Sequence, residues 1–273
     1  MFDSLHLDIS TYSDIIDQPQ ATSSPKPTIN VNKKQKVAKK KASQRLTILN
    51  IICQSVKSKV PDLHQVIHQV KPDIIVGTES WLTSDITNSE IFPKDLYTIY
   101  RKDRTGRKGG GVFLAISTDI LSSEQPELDT DCEIIWAKVD IKGVQSIHIG
   151  AYYKPQENDI ESINELCRSL QRIPINSHTW LLGDFNLLKY DWVKQEFKPN
   201  CKFINTYNNF FDFMNDHHLE QVVHISTRQE NTLILFYINQ PSLVQNTKTL
   251  PALGTSDHDI VFHEMNITIG RKT

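Results

Sequence analysis

The sequence predicts an α/β (α+β) domain of mixed β-sheets with helices packed on the outside. Short apolar runs of strand length alternate with stretches whose apolar residues recur at helical spacing. Two of the strands are separated only by the turn Lys142-Gly143, which indicates a hairpin and therefore an antiparallel pair. The chain has 273 residues, of which 38% are hydrophobic, and this is enough for the core of one large domain.

The elements are predicted in order from these patterns. Strands are placed where apolar or alternating runs lie between turn residues, and helices where one face is apolar. The first helix has Pro61 in its first turn and Pro72 just beyond its end, where proline stops a helix. The predicted helices are 60–70, 160–170 and 203–214. The predicted strands are 46–52, 73–79, 112–116, 133–140, 145–153, 179–182, 221–224, 233–238 and 260–269.

The chain is predicted to divide into a disordered arm at 1–45, a folded domain at 46–269 and a short tail at 270–273. The arm has no sustained apolar period, and its residues 26–45 contain seven Lys and one Arg but no acid. Its basic run at 33–41 suits a nuclear localisation signal or a phosphate contact, and a solvated linker is an equal alternative. The remaining chain is acidic in balance, so bulk charge does not indicate nucleic-acid binding.

The composition narrows the class of protein. No apolar stretch approaches the roughly 18 residues of a membrane span, and the N-terminus lacks the pattern of a signal peptide. The four cysteines have no CxxC spacing, which favours reduced thiols over a zinc site or a disulfide framework. We therefore expect an intracellular and nuclear protein with no membrane partner and no organic cofactor. Its oligomeric state is not predicted.

Polar side chains stand at the ends of several predicted strands. Asn50 is the one amide in an apolar strand, and Glu79 stands at a strand tip, where a carboxylate is costly unless it is solvated, paired or bound to a metal. Gly183-Asp184-Phe185-Asn186 follows another strand directly, Tyr153 ends a further one, and Asp257-His258 precedes the last. Taken singly, these residues are also explained as turn formers, a surface carboxylate, a strand tyrosine and a core histidine. Their ordered occurrence favours a functional site.

The ordered set resembles the endonuclease/exonuclease/phosphatase superfamily, and in finer detail the apurinic-type endonuclease domain of non-LTR retrotransposons. The resemblance covers about residues 46–269 and implies a four-layer α/β/β/α sandwich of two mixed sheets, the DNase I-like fold. It implies no choice between a truncated element, a separate reading frame and a domesticated copy. The stretches that carry it are Leu49–Lys59, Lys71–Leu82, Tyr100–Val112, Tyr152–Pro155, Gly183–Asn186, Thr227–Phe236 and Ser256–Asp259.

The resemblance also implies a divalent metal site. Glu79 matches the principal ligand of Mg²⁺, which Mn²⁺ can replace, and Asp257 matches a residue of the metal and hydrogen-bond shell. Asn50 matches the amide that supports the metal-binding carboxylate and the phosphate. A hard cation held by one or two carboxylates and waters suits phosphodiester chemistry.

The remaining roles concern the reacting phosphate. Asp184 matches the residue that orients or deprotonates the attacking water, and Asn186 the residue that positions the phosphate or that water. Tyr153 would donate a hydrogen bond to the phosphate, and His258 would stabilise charge on the phosphoryl oxygens. The implied reaction is hydrolysis of DNA to a nick with a 3′-hydroxyl, which can prime reverse transcription.

DNA is the expected partner. A basic loop predicted over residues 100–108 supplies the candidate contacts, and the glycines that follow it precede a strand, so a P-loop is excluded. One alternative is a weak or inactive remnant that only binds DNA. A less favoured one is a phosphoinositide or sphingolipid phosphodiesterase. The candidate DNA-binding residues are Arg101, Arg104, Arg107 and Lys108.

Two positions depart from the family pattern. Ile234 stands where relatives have an Asp that accepts a hydrogen bond from the catalytic histidine, and Ile52 stands where relatives commonly have Asn or Asp in the outer metal shell. Loss of an orienting carboxylate costs about 10⁴ in kcat in serine hydrolases, and loss of one outer-shell group costs roughly 10- to 100-fold. We therefore expect this copy to keep the fold and a metal site but to nick DNA weakly.

Overall fold

The structure is a computed structural model that describes residues 43–270. The predicted basic run at 33–41 and most of the predicted arm lie outside these residues. The helices are α1 Val60–Val70, α2 Asn88–Ile91, α3 Ile160–Leu170 and α4 Ile204–Asp216. The strands are β1 Ser43–Ile52, β2 Ile74–Thr78, β3 Tyr97–Lys102, β4 Val112–Ser117, β5 Leu121–Glu124, β6 Glu133–Asp140, β7 Ile147–Tyr153, β8 His178–Asp184, β9 Tyr190–Asp191, β10 Glu196–Phe197, β11 Glu220–Gln221, β12 Ile234–Ile238, β13 Val244–Leu250 and β14 Ile260–Gly270.

The longer strands form two six-stranded mixed sheets. The first has the order β13-β14-β1-β2-β4-β3 and the second the order β11-β12-β8-β7-β6-β5, while β9 and β10 form a separate hairpin. In each sheet one central pair is parallel, β1 with β2 and β7 with β8, and its neighbours are antiparallel. The carboxyl ends of β1 and β2 therefore share one edge of the first sheet, and those of β7 and β8 share one edge of the second.

Three apolar clusters hold the layers together. The largest lies between the two sheets and includes Ile48, Leu182 and Phe236, all fully buried or nearly so. A second cluster packs α3 and α4 against the outer face of the second sheet, and a third packs α1 against the outer face of the first. The order of layers is thus helix, sheet, sheet, helix, and the predicted four-layer DNase I-like sandwich is confirmed.

The predicted basic loop over residues 100–108 is wrong at its start. Residues 100–102 belong to β3, which pairs antiparallel with β4 from Tyr97 opposite Ser117 to Lys102 opposite Val112. The strand lies at the sheet edge and is only partly buried, so it carries polar residues on both faces and shows no apolar run. The loop proper begins at Asp103.

Gly183 is the tightest point in the strand that carries the candidate catalytic aspartate. A Cβ at Gly183 would lie 1.8 Å from the carbonyl oxygen of Tyr152, its register partner on β7, and the residue has φ +147°. We expect Gly183→Ala to lower the free energy of unfolding by about 3 kcal/mol, at the high end for single substitutions. Gly143→Ala has open space around the new methyl and should cost about 1 kcal/mol for its φ of +82°. Equal costs in a denaturant titration would contradict this account.

No helix within residues 43–270 has the length and apolar content to span a membrane.

Candidate active site

The predicted site residues come together where the two sheets meet. Glu79 directly follows β2, Tyr153 is the last residue of β7, and Asp184 is the last residue of β8. Asn50 is fully buried on β1, and its Nδ2 donates to the carbonyl oxygen of Leu235 at 3.3 Å, so this amide spans from the first sheet to the second. The strand directions described above bring these groups to one common edge of the sandwich.

Asp184 is held in one orientation by its neighbour Asn186. The backbone N of Asn186 donates to Oδ1 of Asp184 at 3.1 Å, and the amide Nδ2 donates to Oδ2 at 3.1 Å. The same Nδ2 also donates to the carbonyl oxygen of Lys154 at 2.7 Å. Asn186 adopts φ +46°, a left-handed conformation that Asn tolerates better than most residues. The amide therefore fixes the carboxylate geometrically, whereas the predicted role of Asn186 in positioning the phosphate or the water stays a prediction.

Burial changes the proton affinity of Asp184. The carboxyl is 1% exposed, and its pKa rises to about 8 because of burial first and the charge of Glu79 second. The hydrogen bond from Asn186 and the charges of Lys154 and Arg228 lower the pKa by less. A carboxyl with a pKa near neutrality is suited to accept a proton from water.

Glu79 and Tyr153 form the second pair of the site. The hydroxyl of Tyr153 donates to Oε1 of Glu79 at 3.2 Å. Burial raises the pKa of Glu79, the hydrogen bonds from Tyr153 and Trp81 and the charge of Arg104 lower it, and the charge of Asp257 raises it. Glu79 adopts φ +49°, which is rare for a residue with a long side chain. Backbone strain of this kind is typical of functional sites.

His258 and Asp257 enter the site from the loop before β14. Nε2 of His258 lies 3.5 Å from Oδ1 of Asp257. The carboxylate of Asp257 also accepts from Nε2 of Gln54 at 2.7 Å and pairs with Nη2 of Arg228 at 2.6 Å. Burial raises the pKa of Asp257, but the bond from Gln54 and the charges of His258 and Arg228 outweigh it and leave the pKa lowered.

The imidazole of His258 lacks a partner on its other nitrogen. Its side chain is 3% exposed, and its buried Nδ1 has no hydrogen-bond partner among the described residues. Burial lowers the pKa of His258 to about 4, so the ring is neutral at pH 7. An orienting carboxylate would both fill this vacancy and raise the pKa.

Ile234 occupies the place where the family pattern has that carboxylate. The residue is fully buried between the sheets and lies opposite Asp184 in the antiparallel pair of β8 and β12. Thr227 links it to the histidine loop. Its Oγ1 accepts from the backbone N of Ile234 at 3.3 Å, and its carbonyl oxygen accepts from the backbone N of Asp259 at 2.9 Å. An apolar side chain at this position can donate or accept no hydrogen bond.

The predicted DNA-binding residues fall into two pairs. Arg101 contacts Asp103 at 3.0 Å, and Arg104 pairs with Glu133, whose Oε2 accepts from the backbone N of Gly111 at 2.6 Å. The Arg104–Glu133 pair thus helps to hold the glycine loop, and the Arg104 guanidinium also lies 5.4 Å from the ring centre of Tyr153, whereas Arg101 donates to the carbonyl oxygen of Thr83 at 3.0 Å. The second pair, Arg107 and Lys108, is exposed. A contact of any of the four with DNA stays a prediction.

The donor set fits a hard divalent cation. The charge of Asp257 is close enough to raise the pKa of Glu79, and Oδ1 of Asn50 is buried with no hydrogen-bond partner among residues 43–270. No three His, Cys, Asp or Glu side chains within residues 43–270 converge as a ready-made metal cluster. Mg²⁺ does not need one, because it is commonly held by one or two carboxylates together with waters and substrate phosphate.

The structure adds residues that the sequence alone did not single out. Gln54 and Arg228 both hold Asp257, although Gln54 is 203 positions away from it along the chain. Lys154 is fully buried beside the Asp184 turn, where burial lowers the pKa of its amine to about 8. All three residues lie in stretches that carry the family resemblance, and Lys154 follows Tyr153 directly, but no pattern in the sequence pointed to a role for any of them. The pairing of Gln54 and Arg228 depends on long-range folding.

Comparisons with known proteins agree with this fold. Residues 147–262 match the family model described as endonuclease-reverse transcriptase. The endonuclease domain of TRAS1, a telomere-specific non-LTR retrotransposon, has 14% identity and a TM-score of 0.63, over 81% of this chain and 99% of that one. An AP endonuclease from Archaeoglobus fulgidus has 15% identity and a TM-score of 0.64, and the match covers 81% of this chain and 100% of that one. The 3′ phosphatase NExo from Neisseria, solved with a product DNA hairpin, has 14% identity and a TM-score of 0.56, and the match covers 81% of this chain and 100% of that one.

No curated protein sequence matches the chain. The family model spans Tyr153, Asp184, Asn186, Asp257 and His258, whereas Asn50 and Glu79 lie before it. At these identities the solved structures establish the fold, and the family model adds the sequence relationship. The predicted resemblance to the endonuclease/exonuclease/phosphatase superfamily, and within it to the endonucleases of non-LTR retrotransposons, is thereby confirmed.

Proposed function

We propose that this chain is a Mg²⁺-dependent DNA endonuclease that hydrolyses one phosphodiester bond and leaves a 3′-hydroxyl. One observation carries the proposal: the clamped carboxylate of Asp184 and the Glu79–Tyr153 pair lie at one edge of the sandwich, close enough for Glu79 to raise the pKa of Asp184. Two carboxylates that disfavour each other's ionisation are suited to share a cation and a polar substrate. We choose DNA as the substrate class because a retrotransposon endonuclease has the same fold.

The residues divide the work of hydrolysis between them. Asp184 accepts a proton from the attacking water and is kept in place for this by Asn186. Tyr153 and Asn50 donate hydrogen bonds to the phosphate oxygens, and His258 stabilises the charge that develops on them. Most of the rate enhancement then comes from positioning and from fixed dipoles, as is general for phosphodiester hydrolysis.

Glu79 would hold the cation, with Asp257 and the free Oδ1 of Asn50 around it. A bound Mg²⁺ supplies polarisation of a phosphoryl oxygen and neutralises negative charge there. Mn²⁺ would serve in the same place. The residues of this chain supply the orientation: Gln54 and Arg228 hold Asp257 at 2.7 and 2.6 Å.

The activity of this copy is proposed to be weak. The orphaned Nδ1 of His258 and the buried side chain of Ile234 support this, because no group of residues 43–270 accepts a hydrogen bond from Nδ1. If nicking is absent altogether, the remaining function is DNA binding. The division into an arm, an endonuclease domain and a tail, and nuclear localisation through the basic run at 33–41, are part of the same proposal.

Replacing Glu79 by Gln is expected to reduce nicking of supercoiled plasmid in Mg²⁺ at least about 10²-fold, because the cation loses its principal carboxylate. Glu196→Gln is the matched control, since Glu196 is exposed on β10. Nicking by the unmodified chain should stop in EDTA and return when Mg²⁺ or Mn²⁺ is added in excess. Plasmid nicking that survives both EDTA and Glu79→Gln would contradict a metal-dependent mechanism.

A further inference from the structure

Trp81 is exposed beside the candidate active site. Its side chain is 38% exposed, whereas Trp136 and Trp180 are fully buried and Trp192 is 8% exposed. The next residue, Leu82, is 2% exposed, so the chain presents one large aromatic ring to solvent and returns to the core at once. Exposed tryptophan of this kind is enriched at contact surfaces, where the flat ring is covered by a partner.

The backbone fixes the direction of the indole. Trp81 adopts φ +53°, which is rare for a bulky residue, and its backbone N donates to the carbonyl oxygen of Gly110 at 2.9 Å. The backbone N of Ser80 donates to the carbonyl oxygen of Gly111 at 3.1 Å. Glu79, two residues before Trp81, also has a positive φ. The segment is therefore strained and anchored, and strain that the fold holds in place is a pointer to function.

Positive charge accompanies the ring. Nζ of Lys108 lies 6.0 Å from the centre of the Trp81 indole. Lys108 and its neighbour Arg107 are exposed and form no ion pair with another residue of the described chain. A flat aromatic surface beside free cations is the pattern that binds single nucleic-acid strands, because bases stack on the ring while phosphates meet the cations.

We propose that Trp81 is the nucleobase contact of this site: its indole stacks on an unstacked base of the DNA strand whose phosphodiester lies against Glu79 and Asp184, while Lys108 and Arg107 meet the adjoining phosphates. The proposal rests on the proposed function, since it takes DNA as the substrate. It makes Trp81 a residue that sets the position of the strand, and it directs the enzyme to sites where a base is unpaired or easily splayed out.

Two other roles are open to Trp81: support of the glycine loop at Gly109–Gly111, and orientation of Glu79, whose carboxylate accepts a hydrogen bond from the Trp81 side chain. A Cβ at Gly109 would lie 3.5 Å from Nε1 of the indole, so the ring does pack over that loop. A supporting ring and a stacking ring differ in what they require. Loss of support lowers stability and disturbs the site for every ligand, whereas loss of stacking weakens DNA binding and leaves stability unchanged. Phe and Ala both lack the N–H that bonds Glu79, but Phe keeps a stacking surface and Ala does not.

The test measures DNA binding by the full chain in EDTA, apart from any nicking. A fluorescently labelled single strand of about 20 nucleotides and its matched duplex are titrated by anisotropy, and the intrinsic tryptophan emission is followed in parallel. Because the other tryptophans are buried, quenching by added DNA reports on Trp81. The variants are Trp81→Phe and Trp81→Ala, and Ile160→Ala on α3 is the control, since Ile160 is also an exposed hydrophobic residue, 41% exposed. Thermal melting of each variant monitors the fold.

We expect Trp81→Ala to weaken single-strand binding about tenfold, equivalent to about 1.4 kcal/mol, with the melting temperature unchanged. Trp81→Phe should stay within about threefold of the unmodified chain and lose the DNA-dependent quench. The contact is refuted if Trp81→Ala binds normally, if both variants bind weakly and melt early, or if the unmodified chain binds no DNA. If DNA quenches the emission and both variants bind as expected, but the unmodified chain does not nick plasmid in Mg²⁺, the proposed function is refuted and this contact is retained.

Discussion

Replacing Asp184 by Asn is expected to reduce plasmid nicking about 10²–10⁴-fold, the usual contribution of a positioned general base. The substitution keeps the size of the side chain and one acceptor oxygen. It removes the ability to accept a proton and one of the two bonds from Asn186, each 3.1 Å long, because an amide NH2 replaces one carboxylate oxygen. Nicking within threefold of the unmodified chain would show that Asp184 isn't the residue that activates water.

The same variant is expected to change the pH dependence of stability. The pKa of Asp184 is raised from 3.8 to about 8 in the folded protein, chiefly by burial, so the folded state binds this proton more tightly than the unfolded state. Stability contributed by the protonated group is complete below about pH 4 and is lost as pH rises towards 8. Asp184→Asn should remove at least about 1.4 kcal/mol of that loss between pH 5 and pH 8.5 in EDTA, the equivalent of one pKa unit.

Denaturant titrations at the two pH values measure this change directly. Asp212→Asn on α4 is the control, because Asp212 is exposed and should leave the pH dependence unaltered. If Asp184→Asn leaves the same loss of stability with rising pH as the unmodified chain, the carboxyl is not held protonated by the fold. The activity and stability results together would show that the carboxyl needed for nicking lowers the stability of the fold when it ionises.

Replacing Ile234 by Asp is expected to raise nicking at least about tenfold. The new carboxylate would stand where the family pattern has one, accept from Nδ1 of His258 and fix the tautomer that leaves Nε2 facing the substrate. Orienting carboxylates of this kind contribute up to about 10⁴ in serine hydrolases, and a partly supported histidine should recover less. The gain is measured as the rate of open-circle formation from supercoiled plasmid in Mg²⁺.

A buried aspartate also carries a cost, and the control must separate the two effects. Ile238→Asp places the same charge four positions along the same strand, at an equally buried position. It should destabilise the protein without any gain in nicking, because no predicted partner lies there. Ile234→Asn supplies an acceptor oxygen without the charge and should give an intermediate rate. Full activity in the unmodified chain, unchanged by Ile234→Asp, would overturn the account of impairment.

The fold was largely predictable because its central elements show strong patterns. The strand Glu133–Asp140 and the helix Ile160–Leu170 have the predicted boundaries, since each buries one continuous apolar run or face. Three of the four edge strands of the two six-stranded sheets, β3, β5 and β13, were not predicted. The segment Val244–Leu250 reads as polar because β13 lies at the edge of its sheet and is only partly buried. The strand Tyr97–Lys102 was not predicted for the same reason.

The sequence predicted which residues belong to the candidate site but not most of the contacts between them. Asp184 and Asn186 hold each other across two positions, and a local motif of this kind can be read from the sequence. The clamp on Asp257 cannot, because Gln54 and Arg228 reach it only after both sheets have formed. The sequence predicts from Ile234 that His258 lacks its orienting partner, and Nδ1 of His258 is indeed buried with no hydrogen-bond partner among residues 43–270.

The measurement that tests the central claim most directly is the chemistry of the nick itself. Supercoiled plasmid is treated with the unmodified chain in Mg²⁺, and the product is offered to a DNA polymerase with labelled nucleotides. Polymerases extend only a 3′-hydroxyl, so we expect slow conversion to open circles that accept label, and neither product in EDTA or with Asp184→Asn. Open circles that accept no label, or labelled product that forms equally with Asp184→Asn, would contradict the proposed endonuclease.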